Sequence, residues 1–239
     1  MEVLILFLVL WYGGLFFQTF FLHRYAAHQS FTMSETAEKI TFILTWVFQG
    51  SNYLSAYAYG IMHRMHHAYA DTEKDPHSPK YDKNLFIMMW RTRNTYQDVL
   101  NHRIDIEEKF LKNVPQWSSF DKFASSKFSR VSWTILYILF FINFATTWWL
   151  WLFLPAIILM APIHGVIINW YAHKYGYTNF ELKDTSKNLL PFDFLMMGEA
   201  YHNNHHKHGS QPNFGVKWHE VDVTYVVMKV LNGLRIIKL

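Results

Sequence analysis

Nine of the fourteen histidines in this 239-residue chain fall into four short clusters. Neutral imidazole is a common protein ligand for iron, zinc and copper, and nine imidazoles far exceed what one tetrahedral ion needs. Two of the clusters repeat the same spacing, H-x-x-H-H. The pattern therefore predicts a polynuclear, non-haem metal site. Its candidate ligands are His23, His28, His63, His66, His67, His173, His202, His205 and His206.

The spacing within the clusters indicates how the ligands divide between ions. Residues three and four apart lie on one helical face, so His63 can share a site with both His66 and His67, and the last cluster repeats this geometry. Each triplet could thus hold one ion. His23 and His28 are five apart, about 140° around an ideal α-helix. They would either serve different ions or need the helix to loosen between them.

Other side chains are expected around the ions. Asn169 lies one turn before His173, so its amide could reach the same ion directly or through a water. Imidazole ligands also donate their second ring N–H to nearby acceptors. The acidic candidates for this role are Asp71, Asp75, Asp184 and Glu199. The histidines outside the clusters are interpreted as ordinary solvated or core residues, with a functional reading kept open for the one deep in an apolar run. They are His77, His102, His164, His208 and His219.

Composition narrows the function further. The chain has no cysteine, which excludes disulfides, thiolate iron–sulfur sites and cysteine-based zinc fingers. Hydrophobic residues make up 51%, which is high for a soluble domain. The net charge of +4 is modest, and the basic residues lie mostly beside apolar segments. These features predict contact with a membrane surface and no binding of nucleic acid.

Two uncharged stretches are long enough to cross a bilayer, whose hydrocarbon core is about 30 Å thick. The first is 3–22, and the second, 131–172, is twice the length that one span needs. We interpret the second as a helical hairpin with arms 131–152 and 156–172 that turns around Pro155. Lysines and arginines at the open ends predict that these ends face the cytoplasm. The fold class that follows is mainly α, an integral membrane bundle with a cytosolic histidine-rich cap.

The segment 37–61 is apolar, but it contains several polar residues and is charged at its start. If it crossed the membrane, His28 and His63 would lie on opposite sides and could not share a metal. We therefore predict an interfacial helix that lies against the bundle. The polar stretches 62–130 and 173–239 then form the cytosolic cap of a single domain that comprises the whole chain.

These motifs resemble those of the membrane-bound fatty acyl desaturases, close to the stearoyl-CoA (delta-9) branch and to its short, bacterial-type members. The family boxes H-x4-H, H-x2-H-H and H-x2-H-H match the clusters that begin at His23, His63 and His202. Further matches are the stretch HHAYADTEKDPH at 66–77, the N-x3-H element that ends at His173, and a Gly-Glu pair before the third box.

The resemblance implies a cone of transmembrane helices with a cytosolic domain in which the nine histidines hold two iron ions (Fe²⁺) and Asn169 holds a water. It further implies an O2-dependent reaction that inserts a cis double bond, most commonly at the ninth carbon, into a saturated long-chain acyl group carried by CoA or a lipid. Electrons would come from a separate protein of the cytochrome b5, ferredoxin or rubredoxin type. The implied location is multi-pass in the bacterial inner membrane, with the active site on the cytoplasmic side.

Some positions depart from the family pattern. Met62 stands where the family often has Asp, and Ala200-Tyr201 where it often has Gly-Trp. Both changes bear on how the carrier of the acyl group is recognised. Only one predicted span precedes the first box, where animal relatives have two, so the N-terminus would lie on the other side of the membrane.

Candidate substrate residues can be named from residue type alone. Cationic side chains could hold the phosphates of a carrier, although a solvated or lipid-facing patch is an equal alternative. These are Arg64, Lys74, Arg91 and Arg93. Aromatic side chains could line the acyl channel, although plain packing is the commoner role of such residues. These are Trp46, Tyr59 and Trp170.

Two rival functions share the histidine pattern. The first is a hydroxylase or other oxygenase of the same histidine-rich superfamily, and the second is a membrane metal carrier without enzymatic activity. The stretch 71–77 and the Gly-Glu pair before the third box favour the desaturase over the hydroxylase. A carrier would place its ligands along a transmembrane path, whereas these clusters lie mostly at helix ends.

Overall fold

A computed structural model describes residues 1–239, and it is mainly helical. The eleven α-helices are α1 (Glu2–Phe17), α2 (Glu35–Gln49), α3 (Ala56–Tyr69), α4 (Leu85–Leu100), α5 (Glu108–Leu111), α6 (Ser118–Ala124), α7 (Lys127–Phe144), α8 (Phe153–Ile158), α9 (Met160–Asn169), α10 (His202–Lys207) and α11 (Val223–Gly233). A π-helix, Gln18–Ala27, directly continues α1. Short 3-10 turns occupy Gly50–Asn52, Trp148–Leu152 and Tyr171–His173. Two short strands, β1 (Thr32–Met33) and β2 (Ile237–Lys238), pair antiparallel and tie the C-terminus to the first loop.

The N-terminal helix is the clearest candidate for a membrane span. Together α1 and the π-helix run from Glu2 to Ala27, and this helix is long and apolar enough to cross a membrane. Elsewhere, Trp148–Ile158 and Met160–His173 are long and apolar enough to cross a membrane only when taken together, and the chain bends by 65° between them. By length and composition the chain thus has one helix that could cross a membrane, or two if the bent pair is one span. The three spans predicted from sequence are not confirmed in number.

The predicted hairpin around Pro155 is wrong in its detail. α7 ends at Phe144, so the chain turns at residues 145–147. Pro155 lies in the first turn of α8, where the missing N–H of proline leaves no helical hydrogen bond unmade. The proline therefore sits within a helix start, and the sharp bend comes later, at Leu159 between α8 and α9.

The segment 37–61 is also not one helix. α2 ends at Gln49 and α3 begins at Ala56, with a 3-10 turn between them. Gly50 explains the break, because its backbone has φ +52°, and a Cβ there would collide with the side-chain hydroxyl of Tyr137. Only glycine adopts this conformation without a steric cost. Whether this segment crosses the membrane stays a prediction.

α3 packs directly against the π-helix, and this contact places two histidine clusters side by side. Gly60 allows the close approach, since an added Cβ would lie 3.1 Å from the carbonyl oxygen of Ala26. One turn later, Arg64 donates hydrogen bonds to the carbonyls of Ala26 and Ala27 at 2.8 and 2.7 Å. These carbonyls end the π-helix and would otherwise lack partners, so Arg64 closes the helix end.

Candidate metal centre

The nine histidines predicted as ligands come together in two adjacent groups. In each group every residue offers one ring nitrogen, and these nitrogens all lie within 4.8 Å of one another. The first group is His23, His28, His63, His67 and His205. The second is His66, His173, His202 and His206. The groups adjoin, because the rings of His67 and His206 lie 4.5 Å apart between centroids.

The ring nitrogens converge at the spacing that a shared ion requires. In the first group the Nε2 atom of His205 lies 2.8 Å from that of His67 and 2.9 Å from that of His23. In the second group the Nε2 atoms of His202 and His173 are 2.9 Å apart. Metal–imidazole bonds of about 2.0–2.1 Å, as for zinc, place neighbouring ligand atoms on one ion about 3 Å apart.

The ring nitrogens of His66 and His206 indicate whether the site suits a cation. His66 and His206 each direct Nδ1 at a carboxylate, of Asp75 at 3.0 Å and of Asp184 at 3.3 Å. In the neutral ring this hydrogen bond keeps the proton on Nδ1 and leaves a lone pair on Nε2. The two Nε2 atoms nevertheless face each other at 3.2 Å. Two lone pairs so close repel one another unless a cation lies between them, so the donor set fits a metal ion.

The division of ligands differs from the predicted one. Each H-x-x-H-H cluster was expected to hold one ion, but both clusters are split. His63 and His67 point into the first group while His66 points into the second. Around an α-helix His67, four residues after His63, lies about 40° from it, and His66, three residues after His63, lies about 60° from it in the opposite direction. His66 and His67 therefore face different neighbours. α10 repeats the split, because His205 joins the first group and His202 and His206 the second.

The π-helix explains how His23 and His28 enter the same group. In a π-helix each N–H donates to the carbonyl five residues back. Accordingly, the N–H of His28 donates to the carbonyl of His23 at 3.1 Å, and the two rings lie 5.1 Å apart between centroids. Residues that an α-helix would separate around its axis are therefore brought to one side. Of the two possibilities left open by the spacing, the structure has the loosened helix.

All four acidic residues predicted beside the ligands lie there. Glu199 accepts from Nδ1 of His23 at 2.6 Å, and Asp75 and Asp184 accept from His66 and His206 as described. Asp71 lies 4.0 Å from Nδ1 of His173, which is closer to the hydroxyl of Thr185 at 3.2 Å. These partners orient the rings and favour the tautomer whose Nε2 is free to bind a metal.

Burial keeps several of the imidazoles uncharged. Desolvation, together with the neighbouring imidazoles, lowers the pKa of His63, His67 and His205 well below the usual value for histidine. Desolvation opposes ionisation of Asp75, but its hydrogen bond with His66 holds the pKa of this carboxyl below its usual range. At neutral pH these three imidazoles are therefore neutral while the carboxylate of Asp75 is ionised, which is the combination that binds a metal cation.

α10 is held in place by an amide network. Asn204 accepts hydrogen bonds from the side chains of Asn188 and Asn179 at 2.9 and 2.8 Å, and donates to the carbonyl of Phe214 and to Glu220 at 2.9 and 2.8 Å. A helix of only six residues has little stability of its own. The network therefore sets where the ligands of α10 point.

His77, which the sequence analysis interpreted as an ordinary solvated or core residue, lies in the core beside the second group. Its ring is buried and lies 4.3 Å from the ring of His66, and neither ring nitrogen has a hydrogen-bond partner. With His66 and Asp75 it forms a third group able to offer converging ligand atoms. Burial lowers its pKa to about 3. Its place in the stretch 66–77 was the only signal in the sequence.

The basic residues predicted to bind a carrier are largely engaged elsewhere. Besides closing the π-helix, Arg64 donates to the carbonyl oxygens of Phe110 and Lys112. Arg91 donates to the carboxylate of Asp82 and to two backbone carbonyls. Lys74 and Arg93 lie over the rings of Tyr69 and Trp90. Carrier binding by these residues stays a prediction, and the first two have few donors left for it.

The aromatic candidates and Asn169 have different surroundings. Tyr59 stacks on His63, with ring centroids 5.8 Å apart, so it lies beside the first group. Trp46 packs among Phe and Trp rings and donates to the hydroxyl of Ser129, a structural role. Trp170 is buried with Lys174 over its ring. Asn169 is the last residue of α9, and its contact with a metal-bound water stays a prediction.

Replacing Asp75 by Asn is expected to weaken metal binding without unfolding the protein. An amide would place N–H groups against the donors that now point at Asp75, from His66 and from the backbone of Asp71 and His77. Loss of such a partner typically costs about 10–100-fold in metal affinity. Metal analysis after titration with a chelator would measure this. Asp98→Asn, which removes a surface ion pair with Arg103, is the control, and equal metal retention in the two variants would contradict the expectation.

Comparisons with known proteins show which family the chain is similar to. The family model described as "Fatty acid desaturase" matches residues 2–229. The chain is 26% identical to the Delta-9 desaturase-like 4 protein of Arabidopsis thaliana over 237 residues, which covers 91% of this chain and 69% of the relative. It is 28% identical to the sn-1 stearoyl-lipid 9-desaturase of Synechocystis, covering 90% and 64% respectively. It is also 28% identical to the Delta-9 acyl-lipid desaturase 2 of Arabidopsis thaliana, covering 87% and 64%.

Proposed function

We infer that this chain, which belongs to the fatty acid desaturase family, is an oxidoreductase that desaturates a fatty acyl group with the help of two iron ions held by its two histidine groups. The observation that carries the metal assignment is the convergence of nine imidazoles, with lone pairs facing each other at about 3 Å. An all-nitrogen donor set suits iron as well as zinc or copper. Iron is proposed because the reaction needs a redox-active metal.

The chemistry explains why a metal is needed. An unactivated methylene has no acidic proton, so acid–base catalysis by side chains cannot remove its hydrogens. When bound, two iron ions would supply the redox and O2 chemistry that amino-acid side chains lack. In the overall reaction two neighbouring methylenes lose one hydrogen each, and O2 with two electrons and two protons becomes two waters. The electrons would come from a separate protein of the cytochrome b5, ferredoxin or rubredoxin type.

The residues of this chain prepare the site for that chemistry. His23, His28, His63, His67 and His205 would hold one ion, and His66, His173, His202 and His206 the other, with Asn169 at a water. The carboxylates of Glu199, Asp75 and Asp184 keep three of the rings in the metal-binding tautomer. Burial of the groups excludes bulk water, which protects a reactive centre from side reactions.

The proposed substrate is a saturated long-chain acyl group linked to a lipid, with the cis double bond formed at the ninth carbon. The names of the similar proteins from Synechocystis and Arabidopsis, a stearoyl-lipid 9-desaturase and an acyl-lipid desaturase, support this proposal. The internal contacts of Arg64 and Arg91 also favour a lipid over CoA, because they leave fewer cations for the phosphates of CoA. Tyr59, beside His63, is the aromatic residue best placed to contact the acyl chain near the ions.

We propose that the chain crosses a bacterial inner membrane more than once, with both histidine groups on the cytoplasmic side. The helix Glu2–Ala27 contributes His23 near its C-terminal end, and the bent pair ends at His173. These two histidines belong to adjacent groups, so the two ends must lie on the same side. Residues 62–130 and most of 173–239 would then form the cytosolic cap.

The reaction itself is tested with a deuterated stearoyl-lipid, a reduced electron donor and O2, followed by mass spectrometry. We expect a product that has lost two deuterium atoms and gained no oxygen, and no product when the donor or O2 is omitted. A product that keeps its carbon–carbon single bonds and gains one oxygen would instead identify a hydroxylase. Metal binding without any O2 consumption would support a metal carrier.

A further inference from the structure

One surface outside the candidate spans is strongly apolar. The loop from Leu189 to Met197 turns three large side chains outward, and Phe192, Phe194 and Leu195 are 57%, 63% and 61% exposed. Trp218, from the next loop, is 93% exposed. Its neighbour His219 contacts both loops, with ring centroids 5.3 Å from Trp218 and 5.8 Å from Phe192. The four residues Phe192, Phe194, Leu195 and Trp218 are called the apolar loop surface below.

The one ionisable side chain of this loop is turned inward. The carboxylate of Asp193 is buried and accepts hydrogen bonds from the backbone N–H groups of Met196, Gly198 and Ala200 at 2.7, 2.7 and 2.9 Å. The N–H of Asp193 itself donates to the hydroxyl of Tyr201 at 3.0 Å. Asp193, the one ionisable residue between Leu189 and Met197, thus has its carboxylate satisfied within the protein, while the outer side of the loop remains apolar.

The inner side of the loop packs on the candidate spans. Met196 and Met197 share a buried cluster with Leu15 of α1 and Ile168 of α9, and Leu189 packs at its edge. Leu15 precedes His23 by eight residues, which is about 12 Å along a helix. The inner residues of the loop therefore lie beside the apolar part of α1, before the histidines of the π-helix.

We propose that the apolar loop surface inserts into the lipid leaflet nearest the histidine groups, as a second membrane anchor that does not cross the bilayer. Phe194 and Leu195 lie among the acyl chains. Trp218 lies at the headgroup level, where tryptophan is enriched in membrane proteins, and exposed Lys217 next to it can reach lipid phosphates.

A lipid leaflet fits this surface better than a docking protein does. Between residues 188 and 206 no exposed residue is charged. Transient protein partners such as electron carriers are guided by complementary charges, whereas Lys217 is the one exposed charged residue next in sequence to these four side chains. Contact with lipid requires no charge and would remove large apolar side chains from water, at about 25 cal/mol per Å² of apolar area.

Site-directed spin labelling tests the proposal, and the absence of native cysteine makes every label unique. The single variants Phe194→Cys, Leu195→Cys and Trp218→Cys are reconstituted in lipid bilayers and labelled with a nitroxide. Collision rates are then measured with O2, which concentrates in lipid, and with a water-soluble nickel chelate. Leu8→Cys, exposed on α1, is the lipid reference, and Glu181→Cys, exposed on a polar loop, is the water reference.

We expect the ratio of O2 to nickel collisions at 194 and 195 to match Leu8→Cys and to exceed Glu181→Cys several-fold, with 218 between them. Ratios at 194 and 195 equal to that of Glu181→Cys would overturn the proposal. Water-like labels that become protected only when the reduced electron donor is added would overturn it in favour of a protein-docking surface. Circular dichroism and monodisperse elution confirm that each variant is folded. Because the collision rates are measured without turnover, the outcome does not depend on the proposed reaction.

Discussion

Replacing His205 by Ala is expected to abolish turnover and to release at least one of the two metal ions. His205 is the residue of α10 that reaches into the first group, where its Nε2 atom lies within 3 Å of those of His67 and His23. Removing it leaves two buried imidazoles facing an empty position. The loss of activity should exceed the roughly 10–100-fold effect expected for a carboxylate that only supports a ligand.

Metal content and activity of purified His205→Ala measure this effect, and His66→Ala should behave in the same way for the second group. The matched control is His102→Ala, because His102 is exposed and contacts only Tyr57 at 3.3 Å. This control should retain two ions and normal turnover. A fully active His205→Ala protein with unchanged iron would refute the ligand assignment.

Arg24→Met is expected to destabilise the protein more than any change at its surface. The guanidinium is fully buried, and it pairs with Asp222 at 2.6 Å and with Glu199 at 3.1 Å. It also donates to the carbonyl of Pro212 at 2.9 Å and lies 3.7 Å over the ring of Phe214. Methionine fills a similar volume but leaves two buried carboxylates without a cation, which typically costs about 3–5 kcal/mol.

Unfolding of the detergent-solubilised protein with a chemical denaturant would measure the lost stability as a lower midpoint. Lys39→Met is the control, because it also removes a cation from an ion pair, here with Glu35 at 2.7 Å on the exposed side of α2. Its midpoint should hardly change, since exposed pairs contribute little. Equal midpoints for the two variants would mean that the buried network does not hold the C-terminal segment to the π-helix.

The side chains that converge could be predicted from sequence because the prediction depends on residue type and local spacing. Nine clustered histidines and four nearby acids were enough to name the residues of the two groups and the carboxylates beside them. The division into two groups could not be predicted, because it depends on how α3 and α10 approach each other. Spacing along one helix describes which residues share a face and says nothing about which face the partner helix meets.

Irregular backbone was the other feature that the sequence could not predict. The π-helix, the break at Gly50 and the turn at 145–147 are each a local choice between conformations of similar energy, decided by tertiary contacts such as that of Gly50 with Tyr137. Arg64 illustrates the same limit for side chains. A cation beside a histidine cluster suggests phosphate binding, whereas its actual partners are carbonyl groups from segments distant in sequence.

The π-helix also has an evolutionary consequence for the first helix of this chain. A π-helix contains more residues per turn than an α-helix, so it can absorb an added residue without displacing the helix before it. Each residue of a π-helix turns the chain by less than a residue of an α-helix does, so His23 and His28 point in other directions relative to the exposed side of α1 than an unbroken α-helix would give them. Exposed positions of α1 before Phe17, such as Leu8, can therefore change without altering the backbone hydrogen bonds that direct the two histidines.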